Sequence, residues 1–247
     1  MINDKIFLNA PINFKNICKI YPPTVNDVVK NDKYSIYQTS LILSQEELDD
    51  EYNKVPQPFG FVTPTPFQYL MTNCEANEQF LEIVTEAFEF FIKEPLTIIP
   101  ELKIVFIGKY DEDINPDEDF KNPRLITEDV YFDFQNQIRM ALGMKTIELP
   151  DPDEDPRVRR IKAKARYRDR IKAKQGEGLD LGTSLASLCC MGIGLNPLNI
   201  GEISYASVSW LIQLYQQKDS YETDVRAIMA GADAKKINPK YWIRKLD

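Results

Sequence analysis

Between Arg157 and Lys174 the chain holds ten basic residues and a single acid, Asp169, a net charge of +9 inside a protein whose formal charge is -8. Everything else must then sum to -17. The cations fall on nearly every second position. At about 100° per residue that spacing spreads them around the whole circumference of a helix, and Val158, Ile161 and Ala165 form only a narrow apolar line. Such a stretch cannot enter a core, because Lys and Arg are almost never fully buried without partners. Nothing in it breaks a helix, and Ala, Arg and Lys all favour one. The acidic leader Asp151 to Asp155 is well placed for a helix N-terminus and for shielding the basic run, and Gly176 and Gly178 supply a break after it. The chain is thereby divided into a domain over residues 1–150, an acidic-then-basic linker helix over 151–178, and a module over 179–247.

The N-terminal part mixes element types. "KIFLNA" and "INFKNICKIY" read as short strands ending at Pro22 and Pro23, and Thr24 predicts the cap of a short helix, "VNDVVK". Ser44 and Glu47 have capping-box spacing ahead of "QEELDDEYN". "VPQPFGFVTPTPFQYL", with four prolines and four aromatics, predicts an extended loop or edge. Phe80, Val84, Ala87, Phe88 and Phe91 recur at three- and four-residue spacing, with Asn77 as cap and Pro95 as stop, which predicts an amphipathic helix. "LTIIP" and "LKIVFIGKY" predict strands. Thr127 predicts the cap of a further helix, on which Val130, Phe134, Ile138 and Ala141 share a face and which stops at Gly143. The C-terminal part predicts helices only: "LGTSLASLCCMGIG", then "GEISYASVSWLIQLYQQ" and "SYETDVRAIMAGA", with two aromatics in "INPKYWIRKLD" placed to dock back. The fold class expected is an α+β N-terminal domain, a basic linker helix and an all-α C-terminal module.

Chemistry is constrained mostly by what is missing. The chain has no histidine, which excludes Ser-His-Asp and Cys-His nucleophilic sites and histidine-dependent metal centres. It has neither a G-x-x-x-x-G-K-[ST] nor a G-x-G-x-x-G loop. Asp111, Asp113, Asn115 and Asp117 alternate like the first ligands of a calcium loop, but Pro116 stands where that loop needs Gly and Asn122 where it needs a bidentate Glu. Cys18, Cys74, Cys189 and Cys190 are irregularly spaced, as expected of reduced thiols, with the adjacent pair packed as small hydrophobes. No cofactor, metal or catalytic residue is expected. No run approaches the ~20 apolar residues of a membrane helix, and the first residues lack the apolar core of a signal peptide, so a cytoplasmic protein is expected.

The candidate binding residues are the cations themselves: Arg157, Arg159, Arg160, Lys162, Lys164, Arg166, Arg168, Arg170, Lys172 and Lys174. Three uses fit them: a solvated connector balanced by the acidic body, a helix that docks on an acidic protein, or a nucleic-acid contact. Ten cations could release many counterions from a phosphate backbone. The -17 body opposes that use, and Tyr167 is the single aromatic there for stacking on bases.

"RDRIKAKQG", "CCMGIGLNPLNIGE", "YETDVRAIMAGADAKK" and the closing "YWIRKL", with "ICKIYPPTVNDV" near the start, resemble proteins of tailed bacteriophages and prophages of Firmicutes, in the role of tail assembly chaperone. The resemblance implies a non-enzymatic factor that binds tape-measure protein, tail-tube protein or both in the host bacterial cytoplasm, with self-association also open. A structural tail or connector subunit retained in the virion is the alternative, and a nucleic-acid-binding factor the third.

Overall fold

The structure, a computed structural model, describes residues 3–108, 124–147 and 180–243, together with residues 155, 157, 158, 161 and 165. Two compact units result. Unit 1 comprises Met1–Thr146 with Gly201–Ser209, and unit 2 comprises Ile147–Ile200 with Trp210–Leu246.

Unit 1 opens with a helical turn, α1 (Asp4–Phe7), where "KIFLNA" predicts a strand. The Asn3 side chain accepts from the Lys5 and Ile6 amides and so satisfies donors that a helix start leaves open. The short strands expected next are present, and the structure pairs them: β1 (Ile12–Phe14) and β2 (Cys18–Ile20) form a hairpin with Ile12 opposite Ile20 and Phe14 opposite Cys18. Period-two alternation turns those four residues inward and Asn13 and Lys19 outward.

Four helices follow: α2 (Val25–Val29), α3 (Tyr34–Ile42), α4 (Gln45–Tyr52) and α5 (Pro66–Ala76). Thr24, Ser44 and Thr65 all close reciprocal capping boxes, with Asp27, Glu47 and Gln68 respectively. The last of these corrects the expected loop. "PFQYL" is helical because Pro66 occupies the first turn, where its missing N–H costs nothing.

The amphipathic helix α6 (Glu78–Ile92) is as predicted, capped by Asn77 and ended by Lys93 in the left-handed region. It buries Val84, Ala87, Phe88, Phe91 and Ile92. A three-stranded antiparallel sheet, β3 (Leu96–Ile99), β4 (Ile104–Ile107) and β5 (Leu125–Ile126), leads into α7 (Glu128–Ala141). Thr127 stands at its N-cap but, against expectation, does not cap it with its side chain, because the hydroxyl bonds the Asp129 carboxylate instead of a backbone amide. Phe134 of α7 is the centre of the core, stacked on Phe88 with ring centroids 5.4 Å apart and edge-on to Phe14 at 5.5 Å. Burying each of these rings contributes about 1.5–3 kcal/mol.

Residues 201–209 complete unit 1. Thr24 and Ser204 form an antiparallel bridge, Val25 N donates to Ile203 O (3.0 Å) and Tyr205 N to Pro23 O (2.8 Å). Asn9 Nδ2 donates to Glu202 O at 2.8 Å, and the Tyr205 ring meets Tyr34 edge-on at 5.7 Å. Gly143, just past α7, is fixed from two sides. Its φ is +71°, and an added Cβ would lie 2.9 Å from the Ala206 Cβ.

Unit 2 is helical where described. Asp180 caps α8 (Leu181–Cys190) through the Thr183 amide at 2.9 Å and hydroxyl at 2.6 Å. The two C-terminal helical segments read from sequence are one helix, α9 (Tyr205–Met229), whose first residues belong to unit 1. α10 (Ala234–Ile237) follows, and the Tyr241 ring docks on Tyr221 at 5.5 Å. Among the described residues no helix is long and apolar enough to cross a membrane.

Candidate functional site

A groove of about 870 Å³ in unit 1 is walled by α3, α4, the start of α5 and Phe80 of α6. Ile36, Leu43, Leu48, Tyr52, Val55, Pro66, Leu70 and Phe80 make most of its lining. Polar residues there are less polar than their names. Thr39 and Ser40 donate their hydroxyls to the carbonyls of Ser35 and Ile36, one turn back in α3. They therefore present carbon to the groove, while their polar atoms are already bonded. Glu51 is the one charged lining residue, and its carboxylate holds Lys54 at 2.5 Å.

The walls are held by side chains of α7. A helix leaves its last carbonyls without intrahelical donors. At the end of α3 those of Leu41, Ile42 and Leu43 receive Tyr131 OH (3.3 Å), Arg139 Nη1 (3.3 Å) and Gln135 Nε2 (2.6 Å). The cationic Arg139 also suits the negative end of the α3 dipole, although burial lowers its pKa from the ordinary arginine value. Burial likewise raises the Tyr131 phenol, which stays protonated and donating. Glu128 of α7 ties the other wall, accepting from Thr65 Oγ1 at 2.8 Å and Gln68 Nε2 at 2.9 Å.

One edge of the groove runs into the proline-rich stretch, where Phe61 packs on Tyr52 with centroids 5.2 Å apart. Beyond it Phe59 is fully exposed, and Val55 and Val62 are 62% and 82% exposed. Exposed apolar side chains therefore continue from the groove along this stretch.

A second, polar hollow of about 550 Å³ includes Lys33, Tyr37 and Glu86. Glu86 accepts from Lys33 Nζ at 2.9 and 2.7 Å and from Tyr37 OH at 2.5 Å. The Lys33 hydrogen bond, then that of Tyr37, lowers the Glu86 carboxyl pKa, and Glu86 in turn raises the Lys33 ammonium. Tyr37 is pushed up to about 12, by burial first and Glu86 second. All three groups are engaged with one another, so the cluster ties α3 to α6.

Burial pushes the thiols of Cys18 and Cys74 up to about 12, far from a nucleophilic thiolate. All four cysteines are free. Cys189 is half-buried but Cys190 is exposed, which corrects the expectation that both pack as small hydrophobes. Among the described residues no cluster of three or more His, Cys, Asp or Glu could hold a metal.

Of the sequence-predicted binding residues, Arg157 is helical and exposed, as are Val158, Ile161 and Ala165, and the Arg157 amide donates to Asp155 Oδ1 at 2.7 Å. Arg159, Arg160, Lys162, Lys164, Arg166, Arg168, Arg170, Lys172 and Lys174 lie outside the described residues, as does the acidic loop from Asp111 to Asn122. The groove was missed from sequence. Its signal was Tyr34, Tyr37 and Leu41, which are buried at helical spacing in a segment left without an element.

Residues 172–247 match the family described as YomV second domain. The C-terminal segment is thus similar to a phage-associated domain of a YomV-like, Bacillus-prophage kind, which points to a phage-derived protein. No curated protein and no solved structure matches the chain.

Proposed function

We propose that this protein is a non-catalytic phage tail morphogenesis factor, a tail assembly chaperone that binds tape-measure protein, tail-tube protein or both in the host bacterial cytoplasm. The observation that carries the reading is the open apolar groove of α3, α4 and α5, continued by exposed Val55, Phe59 and Val62. A tape-measure helix exposes apolar surface until a tube encloses it, and an open groove lined by apolar side chains suits the apolar face of such a helix. Similarity of residues 172–247 to a phage-associated domain supports the setting.

The test is capture of the tagged chain from infected or induced cells, with mass spectrometry of the eluate and of purified particles. Tape-measure or tube protein in the eluate, with the bait absent from particles, is the expected result. Bait present stoichiometrically in particles would make it a structural subunit and overturn the chaperone role.

A further inference from the structure

We propose that the protein forms a two-fold dimer in which Phe59 of each copy enters the unit 1 groove of the other. The ring is held out by a fixed backbone. Phe59 and Gly60 are the middle residues of a turn closed by the Phe61 amide, which donates to Pro58 O at 3.1 Å. Gly60 supplies the left-handed φ, +84°, that a type II turn needs at its third position. The turn is tied to the end of α4. Gln57 Nε2 donates to Tyr52 O at 2.8 Å and to Val55 O at 3.2 Å, and the Phe61 ring lies on Tyr52. Phe61 is thereby 41% exposed, while Phe59 at the apex is fully exposed. A ring presented in this way loses little further freedom when it is buried.

Tyr52, Val55 and Gln57 both line the groove and hold the turn, so the projecting ring and the hollow adjoin. A projection beside a hollow is self-complementary. A two-fold axis running between them brings each Phe59 over the other copy's groove, and both contacts form at once. The groove takes a ring without stranding polar groups, because the Thr39 and Ser40 hydroxyls are bonded within α3 and Glu51 holds Lys54.

Area selects a second copy as the occupant. Burying an aromatic ring removes about 150–250 Å² of its own surface and a comparable area of the wall that receives it, so two reciprocal insertions remove roughly 600–1,000 Å². Val55 and Val62 of each copy, also exposed at this edge, bring the total near the ~1,200 Å² at which specific, stable interfaces begin. One ring in one groove supplies only half of the first amount. The contact stands without the client reading above and adds a step to it: a client helix that takes the groove displaces the partner's ring.

Sedimentation velocity of the full chain across concentration tests the contact, using Phe59→Asp on the turn and Ile36→Asp in the groove. Phe59 is fully exposed and Ile36 is 47% exposed, so both changes are compatible with folding, which circular dichroism checks. The wild type should dimerise reversibly. Either variant alone should dimerise about a hundredfold more weakly or worse, since both reciprocal contacts then set a carboxylate against apolar carbon. An equimolar mixture should form a heterodimer of intermediate strength, because the Phe59 of one variant still meets the intact groove of the other. A wild type that stays monomeric up to about 0.1 mM, a variant that dimerises like the wild type, or a mixture no stronger than its components would each overturn the proposal. A monomeric chain that still captures tape-measure or tube protein would overturn this contact and leave the functional reading standing. A chain that dimerises and responds to both variants as expected, yet captures neither protein, would uphold the contact and overturn that reading.

Discussion

In unit 1 the rings of Phe67, Phe88, Phe91 and Phe134 are sealed from solvent, together with Ile6, Leu41, Leu70 and Ile126, and these eight residues come from six separate elements. Among the described residues of unit 2 the buried set is Ser184, Leu188, Ile200 and Trp210, and α9 beyond Trp210 has no buried residue at all. Both units contain well-signalled helices, such as α6 and α8, so the contrast is not simply one of propensity. It is one of interior volume. Unit 1 can stand on its own apolar core, whereas α9 keeps Leu211, Leu214, Val225 and Ile228 half-exposed. Long helices with half-covered apolar faces draw their stability from whatever packs on them.

The contrast can be broken by substitution. Phe134→Ala should cost about 3–5 kcal/mol in urea unfolding followed by near-ultraviolet circular dichroism, because it empties the centre of a ring cluster. A loss under ~1 kcal/mol would mean that the core of unit 1 is not organised around that ring. Leu188→Ala should cost about 2–5 kcal/mol locally, lowering hydrogen-exchange protection in α8 while leaving β3 and β4 unchanged. Protection falling equally in both places would show that the units unfold as one, and the comparison would fail.

Smaller effects sharpen it. Gly143→Ala should destabilise by about 1–3 kcal/mol, read as a drop in Tm, because the new Cβ meets Ala206 and the backbone there is left-handed. Ser204→Ala should cost about 1 kcal/mol, since the Ser204 hydroxyl accepts from the Ser207 amide at 3.2 Å at the start of α9. If neither moves Tm, residues 201–209 do not brace unit 1.

The pH dependence is the mildest test. Glu86 has a lowered pKa in the folded chain, so its contribution is present above the ordinary carboxylate range near ~4.3 and is lost as pH falls through the folded value. Glu86→Gln should therefore flatten the acid limb of a Tm–pH profile. Tyr37 has a raised pKa, so its contribution is intact below ~10 and disappears as pH climbs towards about 12. Tyr37→Phe should flatten the alkaline limb, and an unchanged limb would remove Tyr37 from the account.

Caps and stops were the most legible part of the sequence. Thr24, the Ser44–Glu47 pair, Asn77 and Gly143 all act where their spacing placed them, because each works through groups within three or four residues. The α6 stripe and the hairpin at Ile12–Ile20 were legible for the same reason. α3 was not. It begins at Lys33 without a side-chain cap, and its serine, threonine, tyrosine and isoleucine content gives a weak helix signal. What holds it is α7, through Tyr131, Gln135 and Arg139, nearly a hundred residues away in sequence. The groove inherits that illegibility, since its walls are set by partners that no local window contains. The addition of residues 201–209 to unit 1 was equally silent. The local pattern at Ser204–Tyr205 is simply a helix start.

Those nine residues also impose an order of events during synthesis. When Thr146 leaves the ribosome, the Val25 amide and the Pro23 carbonyl have no partner, and the place of Tyr205 beside Tyr34 is empty. At ~5–20 residues per second the missing strap arrives several seconds later. Throughout that interval the N-terminal unit is an unfinished domain, closed only by the last quarter of its own chain. A product that stops short of Gly201 would therefore leave the Val25 amide and the Pro23 carbonyl without these partners.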